Sequence, residues 1–249
     1  MIAFRWSPGS PEPLLLLGNR DEFHARPSAP LAWWEGGRIL AGRDLQAGGT
    51  WLGVSRSGRV AAVTNVRQPG PVRTGAPSRG RLPVRFLAGD LPAEAFLDGL
   101  RVETAGDNPF NLLLFDGHTL LGYERRHDRI LRFAPGVHAV SNGDFDEPWP
   151  KVETLKAALV EGASREEALL ALLADARTFP DDKLPHTGVP LAVERALSPV
   201  FVDTPGYGTR AATVVRIGVD RIQVVEQGFT AGRPGLRSRE GFVRDTETP

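Results

Sequence analysis

The segment Leu14–Phe23 reads LLLLGNRDEF and changes from apolar to charged within a few residues. A short apolar run bounded by polar residues is typical of a buried strand, so the leucines predict one. Asn19, Arg20 and Asp21 follow almost at once. An ordinary turn would explain Asn and Asp, because both bond readily to their own backbone. A functional site at the end of a core strand is the other interpretation.

Blocks of predicted strands alternate with pairs of predicted helices along the chain. Strands are expected at 2–6, 13–18, 38–42, 50–55, 59–65, 129–133, 137–142, 210–217 and 221–226, with a hairpin over 110–124. Helices are expected at 78–90, at 91–100 and in two pieces between 149 and 176. Because short turns join the strands, the sheets should be antiparallel. The order predicts one α+β domain over 1–249, a four-layer αββα sandwich of two antiparallel sheets.

Several local features accompany this prediction. Asp90 is expected to cap the second helix, and Ser164 with Glu167 fits a capping box for the last one. The dipeptide Pro135-Gly136 should turn strand 129–133 into strand 137–142. A short helix is expected near Glu194, and the charged tail from about Arg233 is expected to pack loosely.

Composition excludes several classes of protein. The 249 residues carry 30 basic and 30 acidic side chains, which gives no reason to expect a nucleic-acid partner. Cysteine is absent and the five histidines lack metal-binding spacing, so no disulfide, metal site or internal cysteine nucleophile is expected. No apolar run reaches the ~20 residues of a membrane helix, and no signal peptide is recognisable. A cytoplasmic location is the expectation.

Polar residues recur at the ends of the predicted strands. Asn65 ends one strand, Asn142 follows another and Arg210 begins a third. Each alone is explained as a turn residue. Together with the segment Asn19–Asp21 they could meet at one site, where amides would bind an oxyanion and a carboxylate a cation. The loop with Gly48-Gly49 is equally well explained as a flexible loop or as a substrate contact.

Several blocks, in this order, resemble the NRDE family, which includes the eukaryotic transport and Golgi organisation protein 2. They are GNRDEF, RPSAPLAWW, LAGRDLQAGGTWLGV, AAVTN, SNGDFDEPWPKV and YGTRAATV, spread over residues 2–227. That family in turn is similar to the N-terminal nucleophile hydrolases, especially the penicillin V acylase and bile salt hydrolase group. This second resemblance also implies an αββα sandwich.

The resemblance implies roles for the polar residues. In the hydrolases an N-terminal cysteine, freed by removal of Met, is the nucleophile and its α-amine is the base. The Asn-x-Asp motif of those enzymes falls on Asn19-Arg20-Asp21, so Asp21 would hold the α-amine. Asn65 and Asn142 would form the oxyanion hole, and Arg210 would lie near the nucleophile. Substrate contacts are expected from His24, Gly48, Gly49, Thr50, Trp51 and Tyr207.

The start of the sequence departs from the family pattern. NRDE proteins resemble M-C-x-I-x-F there, whereas this sequence reads Met1-Ile2-Ala3-Phe4. Alignment on Ile2 and Phe4 puts Met1 in the third family position and leaves the Met-Cys pair out. A start assigned two residues late, a trimmed chain or an inactive member would each explain this. As written, the chain is expected to be inactive by this mechanism.

Three functions follow as expectations. The first is an N-terminal nucleophile hydrolase of a linear amide or thioester, or a silent relative of one, without a cofactor. The second is a carrier of haem or acyl lipids, since the resemblance implies roles in haem trafficking, lipid homeostasis and Golgi organisation. His24 and Tyr207 would be its candidate haem ligands. The third is an interaction module, and the sequence does not set the oligomeric state.

Overall fold

The strands form two antiparallel sheets in the computed structural model, which describes residues 1–70, 73 and 75–245. Sheet I has the order β10 (Gly136–Val140), β1 (Ile2–Trp6), β2 (Leu14–Phe23), β12 (Tyr207–Ile217), β13 (Arg221–Thr230) and β14 (Arg233–Val243), and the short β11 (Asp203–Thr204) pairs with β12. Sheet II runs in chain order through β3 (Ser28–Trp33), β4 (Ile39–Asp44), β5 (Leu52–Ser55), β6 (Val60–Asn65), β7 (Phe110–Phe115), β8 (Leu120–Glu124) and β9 (Arg129–Arg132).

Helices cover the outer face of each sheet. Helices α1 (Arg81–Ala88) and α2 (Ala93–Glu103) pack on sheet II, and α3 (Pro150–Val160) and α4 (Glu166–Leu173) pack on sheet I. The short α5 (Leu191–Ala196) lies near residue 194, as expected. The α+β class and the αββα layering are therefore confirmed. No helix of the described part of the chain is long and apolar enough to cross a membrane.

The described residues form three apolar cores, one between the sheets and one under each helical layer. Side chains alternate along β1 and β2, so these strands contribute to two of these cores. Phe4, Leu14 and Leu16 face the core between the sheets, whereas Leu15 and Leu17 face the layer of α3 and α4. A strand with helices on one side and a second sheet on the other needs apolar residues at every position, since burial of each such side chain is worth about 1.5–3 kcal/mol. This explains the four consecutive leucines.

Two expectations about the strands are wrong. The dipeptide Pro135-Gly136 does not turn a hairpin, because β9 ends sheet II and β10 crosses to pair with β1 of sheet I. The tail from Arg233 is not loose, because backbone pairing with β13 orders it as the edge strand β14. It is charged and mostly exposed, as expected, and Phe242 packs against Trp33 with ring centroids 4.9 Å apart.

Both predicted caps are also wrong. Helix α2 begins at Ala93, and its backbone N–H donates to the carboxylate of Asp116 at 2.9 Å, so the cap comes from the β7–β8 turn instead of Asp90. Helix α4 begins one residue later than the capping box requires, with Arg165 at the cap position and no side-chain cap. Sequence analysis missed β3, an edge strand whose Pro30 lies where the pairing register shifts.

Candidate active site

An open cleft of about 350 Å³ lies beside the first residue, where the inner face of β2 becomes polar. Met1, the polar half of β2, the ends of β6 and β10, and the segment 76–80 all contribute to its walls. The residues predicted for the site that line it are Asn19, Arg20, Asp21, Thr50, Trp51, Asn65, Asn142 and Tyr207. Residues far apart in sequence therefore meet there, and β2 carries its polar groups as part of the sheet.

The α-amine of Met1 is buried at the back of the cleft. It donates to the carbonyl oxygen of Asn19 at 2.9 Å, and the N–H of Asn19 donates to the carbonyl oxygen of Met1 at 2.9 Å. Burial lowers the pKa of this amine to about 6, Asp21 opposes the shift and Lys151 adds to it. The amine is therefore largely neutral at pH 7 and can accept a proton.

Asn19 and Arg20 point to opposite faces of β2. The Asn19 amide donates to the carbonyl oxygens of Leu173 and Val200, at 2.8 and 2.9 Å, which ties the strand to the helical layer. The Arg20 guanidinium lies over the Trp51 ring at 4.4 Å and donates to Ser28 at 2.9 Å. Arg20 thus spans the space between the sheets beside the cleft.

Asp21 is fixed by strand β12. Its carboxylate accepts a 2.6 Å hydrogen bond from the Thr209 hydroxyl, and its carbonyl oxygen accepts one from the Tyr207 hydroxyl at 3.2 Å. It is half-buried and makes no hydrogen bond to the Met1 amine among the described contacts. Asp21 influences that amine through charge, as the shift of its pKa indicates.

The two asparagines differ in what they offer. The amide of Asn142 donates to the backbone oxygen of Asn65 at 2.8 Å, and is therefore already engaged. The side chain of Asn65 makes no hydrogen bond to any described residue and lies exposed in the cleft. Asn65 can donate to a ligand, and Asn142 holds Asn65 in place.

The comparisons with known proteins agree on a family. The family model described as Transport and Golgi organisation 2 matches residues 1–230. The human Transport and Golgi organization protein 2 homolog is 34% identical over 230 residues, which is 83% of this chain and 83% of the human one. The bovine homolog is 31% identical over 229 residues, with the same coverage of both chains. The chain belongs to the Transport and Golgi organisation 2 family.

A solved structure is also similar to this family member. It is titled Caenorhabditis elegans N-acylethanolamine-hydrolyzing acid amidase (NAAA) ortholog, and the match covers 86% of this chain and 92% of that one. Sequence identity is 10% and the TM-score is 0.47.

Four predicted site residues of this family member do not line the cleft. Arg210 is the bulged residue between Thr209 and Ala211, which turns its side chain onto the carbonyl oxygens of Phe23 and His24 at 2.9 and 3.0 Å. The prediction that Arg210 shares the cleft is therefore wrong. Gly48 is exposed, and Gly49 packs so closely on the backbone of Gly80 that a Cβ would clash. Gly49 thus shapes the wall without facing the cleft.

His24 is the fourth of them, and the haem expectation fits the structure poorly. Its Nε2 lies 3.2 Å from the carbonyl oxygen of Thr204, and its Nδ1 is buried. The hydroxyl of Tyr207, the other candidate ligand, donates to the backbone. The Nδ1 of His24 has no hydrogen-bond partner among the described residues, but His24 does not line the cleft, and the Tyr207 hydroxyl is engaged with the backbone oxygen of Asp21.

Three residues elsewhere could together contact a metal ion. Ligand atoms of Glu124, His127 and Asp144 lie within 4.8 Å of one another. The Glu124 carboxylate already accepts from Arg129 at 2.6 Å and from the N–H of Phe145 at 2.8 Å. These contacts use the oxygens that a cation would need.

Sequence analysis missed Lys151, which lies next to the cleft in the first turn of α3. Its side chain is buried and its ammonium donates to the carbonyl oxygen of Leu197 at 2.9 Å. Burial lowers its pKa to about 8, and Asp21 opposes the shift. The signal available was a lysine inside an apolar helical stripe, in a sequence in which arginine supplies most of the basic residues.

Proposed function

We propose that the cleft is the site of an N-terminal nucleophile hydrolase for a polar linear amide or thioester. The nucleophile would be a cysteine at the position immediately before Met1, as the family pattern implies. The single observation that carries this proposal is the register of β1. Met1 pairs with Asn19 through two hydrogen bonds, and Ile2 pairs with Gly18 and Val140.

Extending this register by one residue gives the geometry of the nucleophile. A residue before Met1 would have Arg20 on one side and Asn142 on the other, since Ile2 faces Gly18 and Val140. Side chains alternate along a strand, and those of Ile2 and Phe4 face the space between the sheets. A cysteine there would point into the same space, toward the cleft. Its α-amine would also be about 3.3 Å further along the strand, nearer to Asp21.

The surrounding groups suit acyl transfer. The α-amine would take the thiol proton, the sulfur would attack the carbonyl carbon, and the leaving amine or thiol would recover that proton. The side chain of Asn65 would donate to the oxyanion, with Asn142 as its positioning residue. Water would then hydrolyse the acyl-cysteine. Asp21, held by Thr209, would orient the amine.

The lining of the cleft favours catalysis over transport of an apolar ligand. Most of it is polar, including Arg20, Asp21, Arg79 and Asn142. A carrier for haem or a long acyl chain would need a largely apolar cavity. The carrier remains the rival proposal, and a cytoplasmic location remains a prediction for imaging of a tagged protein.

The test extends the chain by Met-Cys before Met1, with the new Met removed in the cell. We expect this protein to form an acyl adduct, seen by intact-mass spectrometry, and to hydrolyse part of a panel of linear amides and thioesters. The matched control carries Met-Ala in place of Met-Cys. Within the Cys-extended protein, Asn65→Ala should lower kcat about 10²–10³-fold, the usual loss for one oxyanion donor.

The carrier makes the opposite prediction for the same proteins. Cys-extended and Ala-extended chains would bind haem or a long-chain acyl ligand equally well, without turnover. Equal ligand binding, with no adduct and no hydrolysis above the Ala control, would reject the hydrolase.

A further inference from the structure

A second groove lies beside the cleft and has a cavity volume of about 590 Å³. We call it the side groove, and define it by Arg67, Arg126, Trp149, Lys183, His186 and Thr187. Among the described residues that line it, Arg67, Arg126 and Lys183 carry positive charge and Glu147 carries negative charge, and Lys183 also lies 3.9 Å from Asp182. Glu147 itself is engaged, since it accepts the N–H of Asp144 at 2.8 Å.

A buried carboxylate holds two walls of the side groove together. Glu194 accepts from the Arg67 guanidinium at 2.5 Å and from the backbone N–H of Thr187 at 3.0 Å. The side chain of Arg67 is 9% exposed and that of Glu194 is 3% exposed. Arg67 is therefore fixed in position, and most of its five N–H groups stay free of described partners.

Two further donors of the side groove remain available. Arg126 is exposed, forms no ion pair with a residue in the described ranges, and makes one 3.1 Å hydrogen bond to the backbone oxygen of Arg67. The indole N–H of Trp149 is buried without a partner among the described residues.

The side groove and the cleft are joined by one backbone segment. Asn142 lines the cleft and the next residue, Gly143, lines the side groove. The backbone N–H of Arg67 donates to the carbonyl oxygen of Asn142 at 2.6 Å. The two cavities therefore share the wall formed by residues 142–143, and the side groove lies on the far side of Asn142 from the cleft.

We propose that the side groove binds an anionic group, a phosphate or a carboxylate, at the far end of the substrate. Its contribution to catalysis rests on the proposed function, whereas anion binding itself does not. The fixed guanidinium of Arg67, the free guanidinium of Arg126 and the indole N–H supply donors from different sides. Such donors are suited to an anion with several acceptor oxygens.

The test measures binding directly, on the chain as it is. Inorganic pyrophosphate and succinate are titrated separately by calorimetry at low ionic strength, which distinguishes the phosphate from the carboxylate. We expect at least one of them to bind, and Arg126→Gln to weaken that binding about tenfold. Arg165→Gln is the control, because it removes the same charge from an exposed site outside the side groove.

The proposal is overturned if neither anion binds, or if Arg126→Gln and Arg165→Gln weaken binding equally. Binding that only Arg126→Gln weakens supports it, whichever anion is bound. Because no cysteine is needed for this titration, failure of the acylation experiment leaves the result unaffected. The two proposals can thus fail separately.

Discussion

The two halves of β2 belong to one strand, yet different forces hold them. Leu14–Leu17 are fully buried between two apolar layers, and their composition alone specifies that environment. The polar half continues the same pairing with β12, but the side chains of Asn19 and Asp21 depend on partners more than 150 positions away, Leu173 and Thr209. A polar half-strand can therefore be as well fixed as an apolar one, through specific hydrogen bonds.

The largest loss of stability is expected from a substitution in the apolar half of β2. Leu16→Ala should lower the free energy of unfolding by about 2–5 kcal/mol, because it removes buried methyl groups and leaves a cavity. Denaturant titration measures this. Leu236→Ala is the control, since that leucine is 64% exposed on β14 and should change stability by less than about 0.5 kcal/mol. A loss at residue 16 no larger than the control would contradict the tight core.

A substitution in the polar half of β2 should lower the free energy of unfolding nearly as much. Asn19→Ala removes the hydrogen bonds to Leu173 and Val200 and leaves two buried carbonyl groups without this donor, so we expect a loss of about 2–3 kcal/mol. Asn108→Ala is the comparison, because the Asn108 side chain bonds only at the surface, to Arg73. If the two variants lose equal stability, the polar half is held no better than a surface loop.

Stability should rise with pH through the titration of the Met1 amine. The unfolded amine holds its proton up to its ordinary pKa of 8.0, whereas the folded amine loses it near pH 6. Between these values the unfolded state binds more protons, so the free energy of unfolding increases, by about 2 kcal/mol. Denaturant titrations at several pH values test this, and a stability that falls from pH 6 to 8 would contradict the buried neutral amine.

Lys151 extends the same effect to higher pH. Its pKa is about 8 in the folded protein and 10.5 ordinarily, so its deprotonation should add stability between those values. Lys151→Met should remove this second rise and reduce the first only slightly, because burial is the main cause of the Met1 shift. Persistence of the second rise in the variant would assign it to another group.

The smallest effect is expected at the edge strand β14. Arg237 pairs with Glu167 at 2.7 Å, but the side chains are 39% and 70% exposed. Arg237→Gln should therefore change the free energy of unfolding by less than about 1 kcal/mol. Thermal unfolding in low and high salt measures this, and a larger loss would assign the extra stability to the 3.0 Å hydrogen bond that Arg237 also donates to the Gln227 side chain on β13.

The sequence predicts the layers well because they depend on local apolar periodicity and short turns. The prediction fails where contacts between distant segments determine the structure. Strand β10 pairs with β1 of sheet I instead of forming the expected hairpin with β9, and Asp116 caps α2. The cleft residues Asn19, Asn65 and Asn142 are predicted because each ends or follows an apolar stretch of a strand. Arg210 was misplaced because a bulge, which no periodicity reveals, turns it away. Lys151 was missed because its neighbours Leu197 and Asp21 are remote in sequence.

The central claim is that the position before Met1 lies in the cleft, opposite Asn142. A disulfide tests this directly, because the described chain has no cysteine of its own. With the Met-Cys extension and Asn142→Cys, mild oxidation should give an intramolecular disulfide, since residues opposite each other on antiparallel strands have Cα atoms about 4.5–5.5 Å apart. Val219→Cys, in the exposed β12–β13 turn beyond Leu14, should give none. A disulfide in the Asn142→Cys protein but not in the Val219→Cys protein confirms the register. Equal disulfide formation in both proteins, or none in either, contradicts it.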